Sequence, residues 1–330
     1  MPGRRSAGLL LAVCLGLGLV SCAHRGSVLE HAGDLPPRVE LSATPFFPQE
    51  RYQCGPAALA TVLGAEGSAV APESLVSEVY LPSRKGSLQA EMVAAARKRG
   101  KLAVPVSPTL DGLLAEVAAG HPVLVLQNLG LDWLPRWHYA VAIGYDLEQR
   151  TIILRSGTEA RRLTPFDVFH KTWDRSGRWG LLVLEPGALP ARADPASYLA
   201  AASTLETLGK HDAAATAYRA ATARWPDHAA AWLALGNSHY ARRALPEAEA
   251  AFRAAVGAQA DAAPAWNNLA YALAGRGCIE AARKAARCAA RIAPAERTFA
   301  ETLEDMEKRM GKRPVAAGPV CQAPPPCPAS

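Results

Sequence analysis

The hydrophobic pattern divides the chain in two. Between Ser42 and Glu185, apolar positions first recur at helical spacing and then collapse into short continuous runs. The helical part predicts four helices: Cys54 to Gly64, Ser74 to Val79, Leu88 to Arg99 and Leu110 to Ala119. Ser87 and Thr109 stand where N-caps belong, and Gly100 and Gly120 where helices exit. The run Pro122 to Gln127 reads as a buried strand. Tyr139 to Tyr145 and Thr151 to Arg155 read as a hairpin across Asp146 to Arg150. Thr164-Pro165 opens a short helix to about Trp173, and Leu181 to Leu184 is a last strand. Helices followed by antiparallel strands make an α+β domain.

Beyond a proline-rich linker, 186–196, the pattern changes to a repeat. Tyr198, Trp232 and Trp266 stand 34 residues apart, as do Ala214, Ala248 and Ala282, and Pro226, Ala260 and Pro294. Leu235-Gly236 and the pair Tyr218 and Phe252 add matching positions. Small residues at fixed places let helices approach closely. The period resembles that of tetratricopeptide repeats. That resemblance implies an all-α solenoid over 197–310: three helix hairpins and a capping helix near Phe299 to Met310. It also implies a concave groove that holds a peptide or partner protein. Residues 311–330 are proline- and alanine-rich and read as disordered.

The first 41 residues fit neither half. Arg4 and Arg5 precede a short apolar run, Leu9 to Val20, which reads as a signal peptide over 1–21. Leu19-Val20-Ser21-Cys22 resembles the lipobox of bacterial lipoproteins, which implies a lipidated Cys22 followed by a tether over 22–41. The expected location is the bacterial cell envelope, anchored to a membrane by lipid and facing the periplasm or exterior.

Composition excludes more than it assigns. The 330 residues carry a formal charge of +6; without Arg4 and Arg5, 34 basic residues face 30 acidic ones, a net of +4. That surplus is too mild and dispersed to point to nucleic acid. No phosphate-binding glycine loop and no histidine pair at metal-ligand spacing occurs, so no cofactor and no metal are expected. Of seven cysteines, Cys54, Cys278, Cys288, Cys321 and Cys327 lie beyond the lipobox. Cys278 and Cys288 fall on one helix about 15 Å apart, so they do not bridge each other. With Cys54 reduced, two disulfides are possible among the other four, in a pattern the sequence leaves open.

The candidate chemistry centres on Gln49 to Ala60. Cys54 sits where an aromatic, proline-punctuated loop turns into a helix, with Pro56 in the first turn. Unpaired amides and the helix dipole favour thiolate there. Gln49, five residues upstream, supplies an amide donor for an oxyanion hole. The base is His138, directly before the strand Tyr139 to Tyr145; pairing with it would lower the cysteine pKa further. If Tyr145 pairs with Thr151, Ala140 faces Ser156, and Ser156 becomes the residue positioned to orient His138. Glu159 is a carboxylate just beyond it. Asp146 lies roughly 26 Å away along the strand, too far to serve. Arg136 and Trp137, beside His138, are candidates to bind substrate.

Gln49, the run Gln53-Cys54-Gly55-Pro56-Ala57-Ala58-Leu59 and the stretch His138 to Val141 leading to Gly144-Tyr145-Asp146 resemble papain-like cysteine peptidases related to bacteriocin-leader (double-glycine) peptidases. The likeness covers about Phe46 to Leu184. It implies a papain-like fold over 42–185, with Cys54 as nucleophile, His138 as general base and Gln49 in the oxyanion hole. Relatives place Asp or Asn followed by proline in the third position, where this chain has Ser156-Gly157. The expectation is a membrane-anchored cysteine peptidase acting on a peptide or protein substrate, with repeats that recruit substrate or partner. The rival expectation is a non-catalytic binding and assembly scaffold; acyl transfer to an amine is a third.

Overall fold

The computed structural model describes residues 34–49, 53–310 and 321–329. The signal peptide, the lipidation candidate Cys22 and most of the tether lie outside the described residues.

One seven-stranded sheet organises the first half. Its order is β4 (Leu102–Pro105), β9 (Gly180–Leu184), β5 (Val123–Asn128), β6 (Trp137–Asp146), β7 (Thr151–Ser156) and β8 (Glu159–Pro165), and β1 (Arg38–Glu40) also pairs with β6. All pairs are antiparallel. On one face pack α1 (Cys54–Ala65), α2 (Pro72–Val79) and α3 (Gln89–Lys98), around Leu59, Leu63, Leu124, Tyr139 and Val141. On the other pack α4 (Leu110–Ala118) and α5 (Phe166–Asp174), around Leu113, Val125, Ala140, Ala142 and Trp173. Alternate residues of β6 therefore serve opposite cores, as pleating requires. A small ribbon, β2 (Tyr80–Leu81) with β3 (Gly86–Ser87), lies before α3.

Several expectations need correcting. The end of the tether is a strand: β1 registers Arg38 against Asp146 and Glu40 against Gly144. Strands β4 and β8 were unforeseen. Ser87 caps no helix; it belongs to β3, and α3 starts after Leu88 without a side-chain cap. Thr109 does cap α4, its Oγ1 accepting from the Gly112 amide at 3.2 Å.

The second half is a stack of helix hairpins: α6 (Pro195–Thr207) with α7 (His211–Arg224), α8 (Ala229–Ala241) with α9 (Leu245–Ala258), α10 (Ala263–Gly275) with α11 (Ile279–Ile292), then α12 (Arg297–Met310). Ala214, Ala248 and Ala282 are all fully buried. The period is also held by a repeated bond. Trp232 Nε1 donates to the Pro226 carbonyl at 2.7 Å, and Trp266 Nε1 to that of Ala260 at 2.8 Å.

The two halves share a core. Tyr198, Ala202 and Leu205 of α6 join Leu102, Leu182 and Leu184 of the sheet. The linker is pinned as well: buried Glu116 accepts from the amides of Ala191 and Arg192 at 2.8 and 3.1 Å.

The tail is not free where it is described. Cys278 bridges Cys321 and Cys288 bridges Cys327, which resolves the pairing the sequence left open. Arg253 donates to the carbonyls of Gln322 and Ala323, both at 2.7 Å. Residues 321–329 are thus strapped across α9 and α11.

Candidate active site

The site lies where α1 meets the start of β6. Cys54 is the first residue of α1 and is half-buried. The amides of Tyr139, Gly55 and Cys54 itself face its sulfur. The sulfur therefore sits at the main chain of the residue after His138. Two of those amides are donors that a helix start leaves without carbonyl partners. Gly55 is demanded by packing, since a Cβ there would lie 2.2 Å from Ser87 Oγ.

His138 is the second residue of β6, in register with Gln127 of β5. Its Nε2 lies 2.8 Å from Ser156 Oγ. The other ring nitrogen, Nδ1, is the one left to serve a thiol.

Ser156 reaches this place by a detour. Near the turn the register is Tyr145 with Ile152, one residue away from the sequence-based pairing with Thr151. A bulge between Ala142 and Gly144 then shifts the pairing, so that Val141 faces Arg155. Continuing that register sets Ala140 against Ser156. Two offsetting departures leave Ser156 beside the histidine.

Gln49 is held from the same corner. Its backbone N–H donates to the Gly157 carbonyl at 3.1 Å, one residue past Ser156. Its Oε1 is buried without a hydrogen-bond partner. Leaving a buried acceptor unpartnered costs roughly 1–3 kcal/mol.

The electrostatics run against the expected thiolate. Burial pushes the Cys54 thiol above its ordinary value, and the three amides offset only part of that. Burial pulls His138 down to about 4, and the charges of Arg162 and Arg136 act in the same direction. Both shifts favour the neutral forms of the thiol and the imidazole in the unliganded site at neutral pH. Glu159 does not remedy this: its carboxylate is exposed and accepts from Arg162 at 3.1 Å. Among the described residues no carboxylate is hydrogen-bonded to His138.

Three features escaped the sequence reading. The Tyr139 amide adjoins His138, but nothing in the residue types marks it. Ser87, whose Oγ is buried and unpartnered against Gly55, looked like a helix cap. The Gly157 carbonyl becomes visible only once β7 and β8 are paired. Trp137 and Arg136 are exposed at the mouth of β6. Among the described residues no cluster of side chains is suited to a metal, and no helix is long and apolar enough to cross a membrane.

An α+β domain with a cysteine at a helix start and a histidine–serine pair on the facing sheet, joined to helical hairpins, defines a papain-like domain fused to a repeat array. The sequence model of the Peptidase_C39 like family matches residues 41–180, and that of a tetratricopeptide repeat matches residues 199–264. The chain carries a C39-like peptidase domain followed by tetratricopeptide repeats. One similar solved structure is assigned to a C39-like peptidase from Bacillus anthracis. It is 21% identical, with TM-score 0.39, over 45% of this chain and 98% of that one. The first tetratricopeptide domain of Spaghetti (RPAP3), bound to an HSP90 peptide, is 14% identical, with TM-score 0.35, over 36% of this chain and 94% of that one. A MamA RS-1 double mutant is 24% identical, with TM-score 0.34, over 36% of this chain and 67% of that one. The comparison with curated proteins gives no match. The assignment of the two domains rests on the family matches.

Proposed function

We propose that this protein is a cysteine peptidase, held at the cell envelope by lipid on Cys22, whose repeats recruit substrate or a partner protein. The observation that supports the reading is local: the Cys54 sulfur faces the amide of Tyr139, His138 Nε2 meets Ser156 Oγ at 2.8 Å, and the Gln49 backbone amide donates to the Gly157 carbonyl.

With both groups neutral at rest, the proton moves during attack rather than before it. His138 takes the Cys54 proton through Nδ1 as the sulfur adds to the peptide carbonyl. The Gln49 side chain and the Cys54 amide stabilise the oxyanion, one such donor contributing roughly a hundred- to a thousandfold. His138 then protonates the leaving amine, and water, activated by the same ring, hydrolyses the thioester. Ser156 keeps the ring oriented, as third members of such triads do.

The test is to compare protein N-termini in cells carrying the native chain with those in cells carrying Cys54→Ala. New N-termini that depend on Cys54, and on His138 in a parallel variant, support the reading. Identical N-terminal profiles would sink it. Radiolabelled palmitate incorporated into native chain but not into Cys22→Ser tests the anchor.

One observation favours a second reading, a non-catalytic scaffold: a hydroxyl stands where a carboxylate would stabilise imidazolium. On that reading peptides bind the native chain without being cleaved, and neither Cys54→Ala nor His138→Ala alters the N-termini of cellular proteins.

A further inference from the structure

Strands β5 and β6 continue past the sheet as a narrow ribbon that ends just before His138. Leu129 N donates to the Arg136 carbonyl at 2.9 Å, and Leu131 and Leu134 bond each other across the tip at 3.1 and 3.2 Å. The ribbon is braced from within. Buried Asn128 accepts from the amides of Gly130 and Arg136 at 2.9 Å each. A Cβ on Gly130 would lie 2.3 Å from the Leu134 carbonyl oxygen, so the turn closes tightly and tolerates no side chain there.

This braced ribbon carries an unusual surface. Leu129, Leu131, Trp133, Leu134 and Trp137 are each between 42% and 78% exposed. They are five of the nine exposed large hydrophobic side chains among the described residues, gathered within nine consecutive positions. Scattered exposed leucines are ordinary, but such a concentration marks a contact surface. Arg136 lies among them, exposed and without an ion-pair partner among the described residues.

We infer that the ribbon from Leu129 to Trp137 is a docking ledge for a peptide segment bearing large apolar side chains and an acidic group that meets Arg136. This deepens the peptidase reading and rests on it for the identity of the ligand as substrate.

Three arguments select a peptide. First, the ledge is continuous with the candidate active site, Trp137 being bonded in sequence to His138. Second, charge complementarity favours an anion, because the cations nearest His138 are Arg136 and Arg162 and Glu159 already engages only the latter. Third, nine residues offer far less than the 20–30 per side that a stable dimer buries. A bilayer is disfavoured because a lone arginine stands where anionic lipid would meet a cluster. The inference has a chemical corollary. A substrate carboxylate at Arg136 would supply the negative charge that this site lacks beside His138, so that the correct ligand raises the ring's basicity as it binds.

The experiment uses the full chain with Cys54→Ala and four sets of immobilised twelve-residue peptides. These are Leu/Phe-rich with Glu, Leu/Phe-rich with Lys, Gly/Ser-rich with Glu, and Gly/Ser-rich with Lys. The first set should bind at least tenfold tighter than the others. Trp133→Ser with Leu134→Ser should erase that preference, and Arg136→Glu should transfer it to the lysine set. Equal binding of all four sets overturns the inference, as does a double variant that binds like its parent. Co-sedimentation with phosphatidylcholine/phosphatidylglycerol vesicles, or self-association, that the double variant abolishes while peptide preference persists also overturns it. The same peptides, free in solution, are then given to the native chain. Binding without cleavage removes the hydrolytic reading and leaves the ledge. Cleavage indifferent to the double variant removes the ledge and leaves the hydrolysis.

Discussion

The Nε2 of His138 lies 2.8 Å from the hydroxyl of Ser156, a contact between strands β6 and β7 that no charged group among the described residues shares. A hydroxyl can fix the tilt of an imidazole but adds no charge to favour its protonated form. Ser156→Asp should therefore raise the His138 pKa and stabilise thiolate on Cys54. Iodoacetamide alkylation of Cys54 at pH 6 is expected to accelerate at least tenfold. An unchanged rate would show that the third residue does not set the charge state of the pair.

The pH dependence follows from the direction of each shift. His138 is held near 4, against an ordinary value of about 6.5. Between those values the unfolded chain binds the extra proton and the folded chain does not. The contribution of this ring to stability is thus present above about pH 6.5 and is lost as pH falls toward 4. Thermal unfolding should show a midpoint that drops across this window, and His138→Gln should flatten the drop. Because burial raises the Cys54 thiol, alkylation of unliganded protein should keep climbing above pH 9 instead of levelling near pH 5.

Gln49 is expected to act only once an oxyanion exists. Gln49→Ala should lower kcat by roughly a hundred- to a thousandfold. Its alkylation rate at Cys54 should stay within about twofold of native, since no oxyanion forms in that reaction. Parallel loss of both would mean that the residue supports the loop rather than the chemistry.

Gly55 and Ser87 form a tight contact that a methyl group cannot enter. Gly55→Ala should destabilise the domain by about 1–3 kcal/mol through overpacking. Ser87→Gly in the same chain should restore much of that loss. Urea unfolding of the two single variants and the double variant measures the coupling, and strictly additive losses would contradict the contact.

The strapped tail offers a separable test. Each bridge closes a loop of about forty residues, with sequence separations of 43 and 39. Cys288→Ser with Cys327→Ser should cost the last repeats about 2–4 kcal/mol. Hydrogen exchange should quicken in α11 and α12, while Cys54 alkylation stays as in the native chain.

The parts legible in the sequence were those with a strong local signature. Cys54 before an apolar run marks the start of α1, and aromatic residues 34 apart mark the hairpins. What stayed hidden depended on contacts between distant segments. Strand β8 reads Glu-Ala-Arg-Arg-Leu-Thr-Pro, with none of the apolar alternation of a half-buried strand, because it is an edge strand with charged Arg161 and Arg162. Strand β1 is three residues long, and β4 ends in a proline. The bulge in β6 is marked in the sequence only by Gly144, an isolated glycine inside the strand, which does not by itself say how far the register shifts. The thiolate expectation weighed the helix start and omitted desolvation, which only the packed site reveals.

The two bridges consume every described cysteine except Cys54. A peroxide reaching that sulfur would leave a sulfenic acid with no neighbouring thiol to condense with, and further oxidation is irreversible. Recovery would then depend on a reductant delivered from elsewhere, so the lifetime of activity would be set by the redox supply around the protein.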